Sequence, residues 1–564
     1  MNVLHDFRND TAPGVITSHH HDPDWWRGAV IYQIYPRSFQ DSNGDGIGDL
    51  RGITQRLTHI ASLGVDAIWI SPFFTSPMLD FGYDVSDYKA VDPMFGSLQD
   101  FDAMIAEAHR LGLKVMIDQV ISHSSDQHAW FVESRCDKTN PKADWYVWAD
   151  AKPDGSPPNN WLSIFGGSAW EWDTQRCQYY LHNFLASQPD LNFHNPDVQD
   201  AVLDVVRFWL DRGVDGFRLD TINFYVHSAG LEDNPPLALA DRNDSIAPAV
   251  NPYNYQSHKF DKNQPENIAF LKRFRALLDE YPAAAAVGEV GDAERGLELV
   301  ADYTSGDDMI QMCYSFDFLA PEPISAGKVR SVVTNFEKTA PDGWSCWAFS
   351  NHDVVRHASR WADKVEDRDG FLKMTATLIL SLRGSVCLYQ GEELGMTEAL
   401  IAFEDLQDPY GVRFWPTFKG RDGCRTPMMW SHNARNGGFS TESPWLPLPP
   451  EHNHLSADLQ HGDPDSLLNH YRDALTFRAR YPEFSKGSIR FLGTDADVLT
   501  FERSHNGNTM FVAINMSDNE ARTSAPDEQF QALIAPGAQG ERDGGEIVLP
   551  SYGFYFARNQ TAGE

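Results

Sequence analysis

The sequence predicts an α/β protein: a (β/α)8 TIM barrel, a small subdomain inserted after the third strand, and a C-terminal all-β domain. Three observations predict it. From Trp25 onward, eight short apolar runs bounded by turn residues alternate with helical patterns, as strands buried on both faces of a parallel barrel require. After the third run comes a stretch of about 70 residues rich in Trp, Asn, Pro and Gly, too long for a simple loop. Beyond Gly487 the pattern changes to short strands with hairpin turns.

In order, the predicted barrel strands are Ala29–Tyr35, Asp66–Ile70, Lys114–Val120, Gly216–Asp220, Ala284–Glu289, Met312–Phe316, Cys346–Ser350 and Ser385–Gln390. Ser97 with Asp100 reads as a capping box ahead of Phe101, Ile105 and Ala108. Asn195-Pro196 is a cap followed by proline at the first helical position. Val198, Val202, Val206 and Trp209 then share a face. Asp463-Pro464 is expected to cap the helix carrying Leu467, Leu468, Tyr471 and Leu475. A second polar insertion, about 224–264, follows the fourth strand, so both insertions should wall the face where strands end. Asn506-Gly507 signals a hairpin between Val498–Ser504 and Met510–Met516. The expected organisation is a polar lead-in at 1–24, barrel at 25–121 and 191–486, inserted subdomain at 122–190, and β-sandwich at 487–564.

Composition excludes several functions. With 80 acidic and 46 basic residues the formal charge is −34, a field that repels nucleic acid and anionic membranes. No apolar window is long enough to span a bilayer, and residues 1–24 lack the basic-then-apolar order of a secretory leader. Six cysteines without CxxC spacing read as reduced thiols of a cytoplasmic protein.

Polar residues cluster where strands should end: Asp118 and His123, Arg218 and Asp220, Glu289, then His352 and Asp353. Clustered carboxylates repel, so stability explains them poorly and a functional site explains them well. Arg218 and Asp220 are two apart on a strand and face the same way. The guanidinium should keep Asp220 ionised, as a nucleophile requires. Glu289 follows the apolar run Ala283–Gly288 with no basic neighbour in sequence, so burial should raise its pKa and suit a general acid. One ionised and one protonated carboxyl is the apparatus of glycoside hydrolysis. A divalent-metal site is the alternative, and Arg218 opposes it.

Asp41, Asn43, Asp45 and Asp49 place oxygens at positions 1, 3, 5 and 9 of a loop, with the Ile47 carbonyl at position 7 and Gly46 at the turn. Position 12 is Gly52, so the usual bidentate Glu is missing. A structural Ca2+ or Mg2+ site and a metal-free Asx turn are both open. No organic cofactor is expected.

The segments DQVISH (118–123), QPDLN (188–192), GFRLDT (216–221), GEV (288–290) and SNHD (350–353) occur in order, each near a predicted strand end or inserted loop. In these the chain resembles glycoside hydrolase family 13, the α-amylase superfamily, within its α-glucosidase and oligo-1,6-glucosidase group. The resemblance runs from Trp25 to the C-terminus. It implies Asp220 as nucleophile, Glu289 as acid/base and Asp353 as transition-state stabiliser, with His123, Arg218 and His352 on the sugar at the cleavage site. DFGYD (80–84) resembles the segment that gives Asp80 and Tyr83 to the non-reducing end. GRDGCRTPM (420–428) resembles the one whose second arginine, Arg425, pairs with that acid, and Phe165 lines the same subsite. A merely structural salt bridge is the other reading of Asp80 with Arg425. Ser122 stands where many α-amylases carry a calcium-binding Asn, so that interdomain calcium is not expected. The group carries Ca2+ or Mg2+ in a loop like 41–49.

The implied activity is a retaining exo-α-glucosidase acting on short α-1,4-glucosides such as maltose, by hydrolysis and transglucosylation, as a monomer or homodimer. Oligo-1,6-glucosidase, trehalose synthase and sucrose isomerase are the alternatives within the family. A catalytically dead relative or a pure sugar-binding protein are the alternatives outside catalysis. Thr221, directly after Asp220, bears on linkage: relatives preferring α-1,6 bonds typically have Val there, and a hydroxyl can bond a sugar that Val leaves unpaired. Simple packing beside the strand is the other reading.

Overall fold

The computed structural model describes residues 22–559; most of the expected lead-in, 1–21, lies outside them. Eight parallel strands make the barrel: β1 Val30–Ile34, β2 Ala67–Ile70, β3 Lys114–Gln119, β4 Gly216–Leu219, β5 Ala285–Val290, β6 Met312–Ser315, β7 Cys346–Ala348 and β8 Ser385–Tyr389. They hydrogen-bond in the order β6-β5-β4-β3-β2-β1-β8-β7, and a parallel bridge between Cys313 and Ser345 links β6 to the start of β7. Nearly every strand residue is buried, because alternate residues fill the barrel and the rest pack on helices. Ile31, Trp69, Met116, Val287, Met312 and Cys387 belong to one inner cluster, plugged below by Trp25, Trp26 and Trp344. Their neighbours in the strands, such as Ile68, Ile117 and Phe217, join the outer core with the helices.

The helix starts follow local chemistry. Ser97 and Asp100 form the expected capping box on Leu98–Arg110. Asn195 caps Pro196–Asp211, whose Val198, Val202, Val206 and Trp209 are buried. The helix Leu467–Arg480 is capped by Ser466, which accepts from the Asn469 N–H. The expected cap, Asp463, instead closes a turn on the Asp465 N–H, one helical turn too early.

Within 122–190, Trp148–Ala149, Gln178–Leu181 and Trp170–Asp173 form a small antiparallel sheet. Its own core contains Trp161, Trp170 and Leu181. At the C-terminus, five strands from Ser488 to Asn559 make one antiparallel sheet, and Ala521–Ser524, Glu546–Leu549 and Glu541–Asp543 make a second. Val498, Phe511, Ile547 and Leu549 join the two in one apolar cluster. Asn506 and Gly507 turn the hairpin with φ of 49° and 82°, the left-handed pair that a tight two-residue turn needs. Among the described residues no helix is long and apolar enough to cross a membrane.

Candidate active site

Strand register builds the floor of the site. Asp118 on β3 stands beside Arg218 on β4, and Glu289 on β5 beside Tyr314 on β6. Neighbouring residues in register point the same way, so all four converge at the C-terminal mouth. Arg218 is fully buried. Its Nη1 donates to Asp118 Oδ1 at 2.9 Å and to Asp220 Oδ1. Its Nη2 lies 2.6 Å from Glu289 Oε2. Tyr314 Oη donates to Glu289 Oε1 at 3.0 Å.

These contacts revise the electrostatic expectation. Glu289 has no basic neighbour in sequence but a close one in space. Burial still prevails over Arg218, and the carboxyl is pushed up to about 7. Asp220 is pushed up to about 7 as well, by burial against the pull of Arg218, with Asp118 adding repulsion. Asp118 rises to about 6 for the same first reason. One guanidinium therefore serves three carboxyls, and the cluster favours retaining a proton near neutral pH.

Thr221 links the Asp220 and Glu289 carboxyls. It sits in the left-handed region with φ 41° and ψ 49°, a strained place for a β-branched residue. There its N–H donates to Glu289 Oε2 at 3.2 Å and its hydroxyl to Asp220 Oδ2 at 3.3 Å. Ser122 Oγ lies 3.0 Å from Thr221 Oγ1 and 2.9 Å from His123 Nδ1. Thr221 thus hydrogen-bonds both carboxyls from its place beside the strand end.

On the opposite side, Tyr83 stacks on His352 at 5.3 Å between centroids, and its hydroxyl donates to Asp118 Oδ2 at 3.0 Å. Gln33 Nε2 lies 2.7 Å from His352 Nδ1, which leaves the ring proton on Nε2, facing Tyr83 Oη at 2.6 Å. Burial pushes His352 well below its usual range. Burial also acts to raise Asp353, but His352, Arg421 and Arg425 outweigh it and hold that carboxyl well below the ordinary range. Because His352 is neutral, the two guanidiniums carry this effect.

The ion pair expected between Asp80 and Arg425 is made by Arg421 instead. Arg421 Nη2 donates to Asp80 Oδ1 at 2.7 Å and Asp408 Oδ1 at 2.9 Å, and Nη1 to Asp353 Oδ1 at 3.2 Å. Arg425 donates to Asp353 Oδ1 at 2.9 Å and to the His352 carbonyl at 2.8 Å. The short turn Asp422–Cys424 separates the two arginines; both reach Asp353 Oδ1, and Arg421 also reaches Asp80. Phe165 covers Arg421, its ring centroid 5.2 Å from the guanidinium carbon. Gln188 Nε2, from the QPDLN segment, donates to the other oxygen of Asp80 at 3.0 Å. Arg421, Asp408 and Tyr314 are the contributors that sequence reasoning missed. A cleft of about 530 Å³ gathers Asp80, Tyr83, His123, Phe165, Asp220, Thr221, Glu289, Asp353 and Arg421, a volume suited to a small ligand.

The loop 41–49 lies apart from this cleft. Asp41 accepts from the N–H groups of Asn43, Gly44 and Gly46 and from Ser440 Oγ. Asn43 and Asp45 each accept from an N–H two residues on, and Asp49 caps the helix Leu50–Leu63. Gly46 holds φ 89°, and a Cβ there would meet the Ser443 carbonyl at 2.1 Å. Among the described residues no three His, Cys, Asp or Glu side chains gather as metal ligands.

The comparisons with known proteins agree with this geometry. Residues 33–487 match the α-amylase catalytic domain family. The chain is 64% identical over 537 residues to a probable alpha-glucosidase of Rhizobium meliloti (strain 1021), covering 95% of this chain and 97% of that one. It is 36% identical over 546 residues to an oligo-1,6-glucosidase of Heyndrickxia coagulans, covering 91% and 95%. Among solved structures, the alpha-glucosyl transfer enzyme XgtA superposes with a TM-score of 0.92 at 55% identity, covering 95% of this chain and 99% of that one. The trehalulose synthase MutB from Pseudomonas mesoacidophila MX-45 gives 0.85 at 34% identity, with the same coverage. Barrel, strand-end carboxyls and matched sequence together place the chain in the α-amylase superfamily, glycoside hydrolase family 13.

Proposed function

We propose that the protein is a retaining, exo-acting α-glucosidase that hydrolyses, and transfers glucose from, short α-1,4-linked glucosides such as maltose. The observation that carries this reading is the single guanidinium of Arg218, which binds Asp220 through one nitrogen and Glu289 through the other. That sharing supports a short separation of the two carboxyls, and about 5–5.5 Å marks retaining enzymes against about 6.5–9.5 Å for inverting ones. Asp220 attacks the anomeric carbon while Glu289 protonates the departing oxygen. Glu289 then takes the proton from water, or from a sugar hydroxyl, as that oxygen displaces Asp220. Asp353, ionised between its arginines, faces the positive charge that develops on the sugar.

Exo action is supported by the wall behind the terminal glucose, where Arg421 ties Asp80, Asp353 and Asp408 together. The α-1,4 preference is supported by the Thr221 hydroxyl. We also propose that the hard oxygens of 41–49 take Ca2+ or Mg2+ as a structural ion, which elemental analysis of the purified protein tests. The substrate test is a panel of maltose, isomaltose and long maltodextrin at equal concentration. Maltose should be cleaved fastest and maltodextrin slowest. Faster isomaltose cleavage would give the oligo-1,6-glucosidase reading, and efficient internal cleavage of maltodextrin would remove the closed pocket.

A further inference from the structure

Strands β4 and β5 pair in register from Gly216 with Ala285 to Leu219 with Gly288, and there the ladder stops. The chain after β4 bends at Thr221, where φ is 41°, and enters the short turn Ile222–Phe224. β5 runs on to Val290 and carries Glu289. On one edge it stays paired with β6, Glu289 beside Tyr314 and Val290 beside Ser315. On the edge toward β4, Glu289 has no register partner. Asn223 meets the chain just beyond. Its Oδ1 accepts from the Gly291 N–H at 3.0 Å, and its Nδ2 donates to the Gly291 carbonyl at 3.2 Å. This is the reciprocal pair of bonds that two facing residues exchange in a sheet ladder. The orientation of the amide is fixed, because a backbone N–H only donates. The Asn223 side chain is buried and donates as well to Asn263 Oδ1 at 2.7 Å. The turn that carries it is tied down: the Asn223 carbonyl accepts from the Asn263 N–H at 2.8 Å, and the Ile222 carbonyl from Asn267 Nδ2 at 2.9 Å. Asp220 depends on none of these contacts. Its N–H donates to the Gln119 carbonyl of β3 at 3.2 Å, and Arg218 pairs with its carboxylate.

We propose that Asn223 is a positioning residue for the acid/base carboxyl: its amide stands in for the missing length of β4 and sets where Glu289 lies relative to Asp220. The inference rests on the reading of Glu289 as acid/base given above. Gly291 is two residues beyond Glu289 and itself lines the cleft, so a shift of its peptide carries the carboxyl with it. A displacement of about 1 Å costs about a hundredfold in rate. Without Asn223, Asp220 stays in place and Glu289 does not. Steps in which a proton moves should then suffer, and steps in which none moves should be spared. α-Glucosyl fluoride and azide separate the two kinds. Fluoride departs with the electron pair of its bond and needs no proton from Glu289. Azide attacks the anomeric carbon as an anion, Asp220 leaves with the electron pair of its ester bond, and no proton has to be removed.

The test compares maltose with α-glucosyl fluoride, each with and without azide, in the full-length enzyme. Asn223→Leu keeps the branched shape and leaves the Gly291 N–H without this acceptor. Its kcat on maltose should fall at least about thirtyfold, while the first burst of fluoride release slows less than about threefold. Azide should restore about half or more of the steady turnover of the fluoride, with α-glucosyl azide as the product. Asn223→Asp still accepts from the Gly291 N–H but, as a carboxylate, cannot donate to the carbonyl. It should show the same pattern to a smaller degree, and it carries the test if the leucine variant does not fold. Equal losses on maltose and on the fluoride overturn the proposal, as does turnover that azide leaves unchanged. Glu289→Gln in the same assays isolates the underlying reading and should show the full pattern. If it does not, the acid/base role of Glu289 falls together with this inference. If it does while the Asn223 variants do not, the inference alone falls.

Discussion

Two arginines organise the cleft, and each faces three carboxyls. Arg218 on the floor faces Asp118, Asp220 and Glu289. Arg421 in the wall faces Asp80, Asp353 and Asp408. The outcomes differ. On the floor all three acids are pushed up by burial, to about 6 for Asp118 and about 7 for Asp220 and Glu289. In the wall burial raises Asp80, but Asp353 and Asp408 lie below their ordinary range because the guanidiniums outweigh burial. The wall has a second cation, which the floor lacks, and more backbone donors on one acid. Arg425 adds the cation at Asp353, and the N–H groups of Tyr410 and Arg421 donate to Asp408 at 3.1 and 2.7 Å, against the one N–H, from Thr221, on Glu289. One arginine centre can therefore move a proton, whereas the other holds fixed charge.

The sharpest break in that comparison is Asp220→Asn. An amide is too poor a nucleophile, so activity should fall about 10⁴-fold. The fold should survive, and Tm should hold or rise, because one of three crowded carboxyls has lost its charge. Calorimetry and a rate assay on the same preparation check both halves.

Arg421→Ala should behave differently. It leaves Asp80, Asp353 and Asp408 with too few partners, costing about 3–5 kcal/mol of stability as broken buried ion pairs do. Activity should fall about a hundredfold, with KM rising. Denaturant unfolding and steady-state kinetics separate the two effects.

The smallest change probes the floor's proton. The reactive form carries a proton on Glu289 and none on Asp220, so kcat/KM should be bell-shaped with its basic limb near pH 7. Tyr314→Phe removes a hydrogen bond that favours ionised Glu289. The basic limb should therefore move to higher pH, with less than about a tenfold change in the maximal rate. Stability has the matching sign. A carboxyl raised from 4.5 to about 7 on folding contributes stability that is present at low pH and lost as pH rises through that window.

The barrel was legible because each strand is a short apolar run ended by a turn, and the active face because polar residues stand at those ends. What sequence could not show depends on register and rotation. The reach of Arg218 to Glu289 follows from how β4 and β5 sit side by side, which no local pattern encodes. Tyr314 was hidden as one more aromatic in an apolar strand, and the signal for it was parity: it shares the inward face with Met312. Arg421 and Arg425 lie four apart in one motif, and the intervening turn decides which of them meets Asp80. Ser466 displaced Asp463 as a cap because both precede the helix and only Ser466 stands at its first turn. Asp408 lies outside every quoted motif, and its only local signal was that of a helix cap ahead of Pro409.

The central claim is that the Arg218-held carboxyls work as nucleophile and acid on a covalently retained sugar. Proton NMR of the first seconds of maltose cleavage tests it most directly, before mutarotation mixes the anomers. The glucose unit from the non-reducing end, followed by isotopic label, should appear first as the α-anomer. First appearance as the β-anomer would contradict the retaining geometry and the shared guanidinium that supports it.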